Sequence, residues 1–396
     1  MTLKKIIIPV CLFLFPAITS CSREYIQPIS VKRNFSGALW IVRHNISTPD
    51  KIDKLYNLIK NTDIKHIFVQ VRGRGDSYYQ SEFEPPAFDV AHNFDPLKYL
   101  IDITRKSDIR IHAWVNIFFV MNGGKNPPKD THILAKHPEW VTYDYTGRPM
   151  TDYTEKELKD NLLEGYFLDP AIPAVRDYTL EVINDILNKY PVDGIHLDYI
   201  RYPYSGYNKY HKKYLSDFGY NPLARKIFKR KYGIDPININ RFKNTRYKRL
   251  FDKFRENQVS EIVKRIHKTV KFKNHNLILS AAVMPRYDAG KKVYFQNWPL
   301  WMNKDYIDMA CIMSYTSNRE SFKNYIKYAD DTDHNDRILM GIRVKKGTRL
   351  KKACDQINLS YKNGMRGFVI FSFRHNRSFI KDLDELINYD RYIYRY

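Results

Sequence analysis

The stretch His196-Leu197-Asp198-Tyr199-Ile200-Arg201-Tyr202-Pro203 brings an imidazole, a carboxylate and a guanidinium together at the end of a short apolar run. In an extended chain successive side chains point to opposite faces. His196 and Asp198 then share one face, and Ile195, Leu197 and Tyr199 the other. If the apolar set packs on helices, the polar pair faces an interior or a mouth, where a carboxylate must be paired or used. Arg201 is a neighbour that would favour the ionised form of Asp198. Asp198 is therefore read as a nucleophile or base, against the competing reading of a structural Asp–Arg pair.

A second run repeats the alternation. His112, Trp114 and Asn116 oppose Ile111, Ala113 and Val115. Stacking surface combined with hydrogen-bonding groups suits a sugar, although a core His and Trp would give the same pattern. Arg72 and Arg74 precede a loop bearing Asp76, Glu82 and Glu84, and Arg286-Tyr287-Asp288 follows a later apolar run. Glycoside cleavage needs two carboxyl groups around an oxocarbenium-like transition state. Asp288 or Glu84 is the expected partner of Asp198. His196, Arg72, His112, Trp114, Asn116, Arg201, Tyr202, Trp298 and Tyr315 are expected to bind the substrate.

Eight apolar runs must position these groups: 37–44, 66–72, 110–119, 194–200, 277–284, 308–315, 337–342 and 367–373. Amphipathic spacing predicts helices over 51–61, 96–107, 174–189, 257–271 and 350–363. Strands alternating with helices predict an α/β fold, a (β/α)8 TIM-type barrel. The rival is a doubly wound open sheet, but Gly73-Arg74-Gly75 is no nucleotide fingerprint. Long insertions are expected after the third strand, near 120–173, and after the fourth, near 201–256. Catalytic groups of such barrels sit at the C-terminal ends of the strands.

With 43% hydrophobic residues in 396, the chain has ample material for a core, which excludes wholesale disorder. Its net charge of +23 calls for a polyanionic neighbour. Residues 206–273 hold 20 basic and 5 acidic side chains, most of that excess. Their place in a strand-to-helix connection predicts charge beside the mouth, unless it is merely a solvated helical face.

Lys4 and Lys5 precede an apolar run that ends Ile18-Thr19-Ser20-Cys21. This reads as a lipoprotein signal over 1–20 with Cys21 lipidated, a tether over 21–36 and the barrel domain over 37–396. The competing reading is an ordinary cleaved signal. A lipid-anchored envelope protein is expected, on the outer membrane facing the periplasm or the cell surface. Nucleic acid is then excluded as the anionic partner. A monomer with no disulfide, no metal and no cofactor is expected.

Several stretches together resemble the family-ten glycosyl hydrolase-like proteins. They are Val69–Asp76 with Tyr79–Pro85, Ile111–Asn116, His137–Trp140, Leu168–Ala171 with Val175–Asp177, Gly194–Pro203, Gln296–Asn297–Trp298 with Trp301, and Met313–Tyr315. The resemblance implies a barrel glycosidase similar to divisome-associated enzymes that act on peptide-free peptidoglycan. A non-catalytic glycan-binding lipoprotein is the alternative. One departure stands out: many relatives carry two adjacent carboxylates at the fourth strand, and here Tyr199 follows Asp198.

Overall fold

The computed structural model describes residues 36–373 except 63, 124–129, 206, 209–212, 215, 241–242, 244 and 345–349, and also residue 382. The leader and Cys21 lie outside the described residues. Eight parallel strands close into a barrel in chain order. They are β1 (Ser36–Ile41), β2 (Ile64–Arg72), β3 (Arg110–Asn116), β4 (Gly194–Asp198), β5 (Ile278–Val283), β6 (Met309–Ile312), β7 (Ile338–Arg343) and β8 (Gly367–Phe371). The outer layer is α1 (Pro49–Ile59), α2 (Pro96–Thr104), α3 (Pro173–Lys189), α4 (Arg246–Lys273), α5 (Trp298–Asn303), α6 (Arg319–Asp330) and α7 (Leu350–Lys362).

Side-chain alternation divides the apolar residues into two cores. Outward residues such as Leu39, Val115, Ile195 and Leu197 pack with the helices. Inward residues, among them Trp40, Phe68, Trp114, Cys311 and Val369, fill the barrel. Cys311 and Cys354 are both buried. Local chemistry fixes the helix starts. Proline occupies the first turn of α1, α2 and α3, where a missing N–H costs nothing. Asp95 caps α2 by accepting from the Lys98 N–H at 3.0 Å, and Thr245 caps α4 through the Lys248 N–H at 3.1 Å.

Three helices of this layer depart from expectation. The helix expected over 257–271 is the latter part of α4, which runs for 28 residues. Helices α5 and α6 are outside the expected set, although Phe322, Ile326 and Ala329 give α6 a buried stripe at helical spacing. The connection after β3 folds back as an antiparallel pair, Phe119–Met121 with Tyr166–Phe167. The connection after β4 carries the helix Pro222–Tyr232 and its own small core of Tyr220, Phe228, Phe251 and Phe254.

Candidate active site

Register determines which inward side chains reach the mouth. Asn116 pairs with Asp198 at the tops of β3 and β4, and Trp114 pairs with His196 one layer below. Above this layer opens a cavity of about 470 Å³. Its lining includes Asp198, Glu164, Arg201, Arg43, Arg74, Gln70 and Asn116 among polar residues. Trp40, Trp114, Tyr199, Tyr315 and Phe371 supply aromatic surface, with Tyr315 and Phe371 stacked at 5.1 Å. Ring faces beside hydrogen-bonding groups match the two-sided chemistry of a sugar.

Asp198 is half-buried at the end of β4, where its Oδ1 accepts the Tyr199 N–H at 2.7 Å. Loss of water around it pushes its carboxyl up to about 6. The Tyr199 N–H, the Arg201 charge and the Trp114 N–H pull it down, while Glu164 adds to the rise. Arg201 therefore does not hold Asp198 at an ordinary carboxylate value; desolvation wins. Arg201 instead pairs with Glu164, Nη2 to Oε1 at 2.6 Å. Its guanidinium lies 4.9 Å from the Tyr199 ring centroid and 4.7 Å from that of Tyr294, which fix its direction.

Tyr199 does not face the helices. The strand ends at Asp198, and a φ of 49° at Tyr199 breaks the alternation and turns the ring into the cavity. There it stacks on Phe119 at 4.7 Å. Glu164 comes from the connection after β3. Gly165, at φ 151°, lets that backbone pass where a side chain would strike the Met121 carbonyl. The second carboxylate of the mouth thus arrives from a loop, not from beside Asp198.

Other expected site residues lie elsewhere. Glu84 is buried against Arg72 at 2.6 Å, accepts the Tyr178 hydroxyl at 2.7 Å and does not line the cavity. Arg72 also donates to the Asn116 and Ile117 carbonyls, so it pins β2 to the end of β3. Asp288 is exposed on the helix Tyr287–Tyr294 and pairs with Arg286 at 2.7 Å. It too is absent from the lining.

His112 and His196 are inward but too deep. His112 meets His66 at 2.9 Å, and His196 is held between Ser280 and the Trp40 N–H, each at 2.9 Å. Burial lowers His196 to about 3, so it is a neutral core group. Tyr202 is buried with its hydroxyl donating to Asp169 at 3.1 Å. Trp298 is buried with its N–H on the Met284 carbonyl at 3.1 Å. Of the expected residues, the cavity brings together Asp198, Trp114, Asn116, Arg201 and Tyr315.

The basic insertion is also displaced from expectation. Among the described residues none from 206–273 lines the cavity. Arg225 pairs with Asp235 at 2.7 Å, Lys248 with Asp252 at 2.5 Å, and the buried Arg255 with Asp217 at 2.5 Å. The cations of the mouth are Arg43, Arg74 and Arg201.

These placements give a stability prediction. Glu84→Ala leaves the Arg72 guanidinium buried without its carboxylate, a change that costs about 3–5 kcal/mol. Thermal unfolding should show a large fall in midpoint. Asp288→Ala, on the surface, should unfold within about 0.5 kcal/mol of the parent. Equal stability of the two variants would contradict the assignment of Glu84 as structural.

Comparison with known proteins places this geometry. The sequence model of the family described as Glycosyl hydrolase-like 10 matches residues 36–363. Glycosyl hydrolase YngK of Bacillus subtilis is 24% identical over 226 residues, covering 55% of this chain and 36% of that protein. Glycosyl hydrolase DigH of Escherichia coli K12 is 26% identical over 165 residues, covering 38% and 33%. The aligned region spans about a third of the length of either relative.

Among solved structures, the glycoside hydrolase domain of PgaB (BpsB) from Bordetella bronchiseptica superimposes with a TM-score of 0.67 at 12% identity. That match covers 89% of this chain and 99% of that domain. The catalytic domain of β-amylase from Paenibacillus polymyxa gives a TM-score of 0.56 at 14% identity, covering 89% and 94%. At these identities the structural likenesses establish the barrel alone.

Proposed function

The chain belongs to the glycosyl hydrolase-like 10 family, and from that premise we propose that its mouth cavity hydrolyses glycosidic bonds of a cell-wall glycan. Peptide-free peptidoglycan strands are the substrate the sequence resemblance points to. The observation that carries this reading is the convergence of Asp198 and Glu164 on one aromatic-lined cavity at the C-terminal ends of the strands.

The two carboxyl groups have different environments, which divides the labour between them. Asp198, pushed up to about 6 by desolvation, is the group poised to exchange a proton near neutrality. It donates to the glycosidic oxygen as the bond to the leaving sugar breaks. A glycan covering the mouth removes more water and favours the protonated form further. Glu164, ion-paired with Arg201, presents its carboxylate to the cavity. It stabilises the positive charge that develops on the sugar ring and either attacks the anomeric carbon or activates a water there. Trp40, Trp114 and Tyr315 offer ring faces for neighbouring sugars.

Tyr199, where many relatives have a second carboxylate, supports a non-catalytic reading only if no other carboxylate reaches the cavity. Glu164 does reach it. Incubating the purified protein with peptide-free strands and measuring new reducing ends tests the proposal. Binding without any release would leave the glycan-binding reading in its place.

A further inference from the structure

Among the described residues, buried arginines are paired, with one exception. Arg72, Arg201 and Arg255 are each buried and each holds a carboxylate, from Glu84, Glu164 and Asp217. Arg43 is only 5% exposed and lines the mouth cavity, yet it takes part in no ion pair among the described residues. Its Nε is buried with no hydrogen-bond partner. Arg74 lines the same cavity, and its Nε is likewise buried and unsatisfied.

The two arginines are close enough to oppose each other. Burial first, and then the positive charge of Arg43, holds the Arg74 guanidinium below its ordinary value. Asp76, Tyr78 and Tyr199 act in the other direction. The Asp76 carboxylate is engaged by the Arg74 backbone N–H at 2.7 Å. The protein holds the pair in place by construction. Arg43 is the second residue past β1, and its guanidinium lies against Gly73, where any side chain would strike it. His132 meets the Arg74 carbonyl at 2.7 Å and fixes the loop after β2.

Two neighbouring guanidiniums on one cavity, neither in a direct ion pair among the described residues, are costly unless an anion arrives. Planar N–H forks match a carboxylate better than any neutral sugar hydroxyl. Tyr199 feels the charges of both Asp198 and Arg43, so the cationic pair belongs to the same mouth as the candidate acid. We propose that Arg43 and Arg74 form a carboxylate-binding subsite that selects acidic sugars next to the cleaved bond. This inference rests on the reading of the cavity as a glycan site, but not on turnover there. The basic insertion, whose described residues stay outside the cavity, has no part in it.

Calorimetric binding to the full-length Asp198→Asn protein separates the subsite from catalysis, because the ligand is not consumed. The probes are peptide-free peptidoglycan strands with lactyl carboxylates, the same strands after chemical reduction of those carboxyls, and oligogalacturonate with ring carboxylates. Acidic strands should bind at least about tenfold tighter than reduced ones, an effect in the range of a charge-assisted hydrogen bond. Adding Arg43→Gln or Arg74→Gln should remove most of that ratio, and Arg43→Lys should keep part of it. Arg43→Lys also distinguishes loss of charge from loss of fold. Tight binding of oligogalacturonate with the same arginine dependence would retain the subsite and assign it to ring carboxylates. Equal binding of acidic and reduced strands, or an unchanged ratio in both Gln variants, would overturn the subsite. Absence of reducing-end release by the parent protein would strike the glycosidase reading alone.

Discussion

Replacing Asp198 by Asn should lower turnover of peptide-free strands by about 10²–10⁴-fold, the range a positioned general acid contributes. The amide keeps the shape and can still accept the Tyr199 N–H. It cannot deliver a proton. The pH profile of the parent gives the sign. A donor must be protonated, so kcat/KM should level off as the pH drops to about 6 and fall tenfold per unit above it. The limb should vanish in Asp198→Asn. A base would give the mirror image, with kcat/KM falling below pH 6. A profile of that shape would reassign Asp198 to the role its sequence context suggested.

Glu164→Gln is expected to be the second severe variant, with turnover down about 10²–10³-fold, as when one electrostatic stabiliser is removed. It should also move the pH limb. Glu164 raises Asp198 by its charge, and it occupies the Arg201 guanidinium. Removing that charge leaves Arg201 facing Asp198 and favours its ionised form. The alkaline limb should therefore shift to lower pH. A loss of rate with no shift of the limb would mean that Glu164 acts on folding or binding, not on the shared field of the mouth.

The barrel was legible because its signal is repetitive. Eight apolar runs interleaved with helical spacing leave few architectures, and each run became a strand. The site was legible in part. Alternation correctly set Trp114 and Asn116 inward, but it does not report depth. A barrel interior is filled in layers. His112 lies a layer below Trp114, and His196, level with Trp114, is held by Ser280 and the Trp40 N–H, so the same inward direction makes both core. Trp40 had the same alternation signal on β1 and passed unremarked. Tyr199 escaped because a left-handed residue ends the period of two.

Glu164 escaped for another reason. It sits in a loop beside a two-residue strand, too short to show any periodicity. Its one local signal is a carboxylate directly before Gly165 and the Tyr-Phe-Leu-Asp-Pro stretch. Glu84 and Asp288 were chosen for residue type and proximity to strand ends, which cannot separate a catalytic carboxylate from a buried Arg72 partner or a surface ion pair. The charge of 206–273 is similar, since sequence counts cations but not the direction they face, and no described residue of that segment lines the cavity.

Asp198 and Glu164 are proposed to cleave glycosidic bonds in this cavity. Mass analysis of soluble products from peptide-free strands, with the parent protein and Asp198→Asn side by side, tests it most directly. Oligosaccharides with new reducing ends are expected from the parent, with a near-complete loss of them from Asp198→Asn. Intact strands after prolonged incubation with a folded, glycan-binding parent protein, or equal product from both proteins, would contradict it.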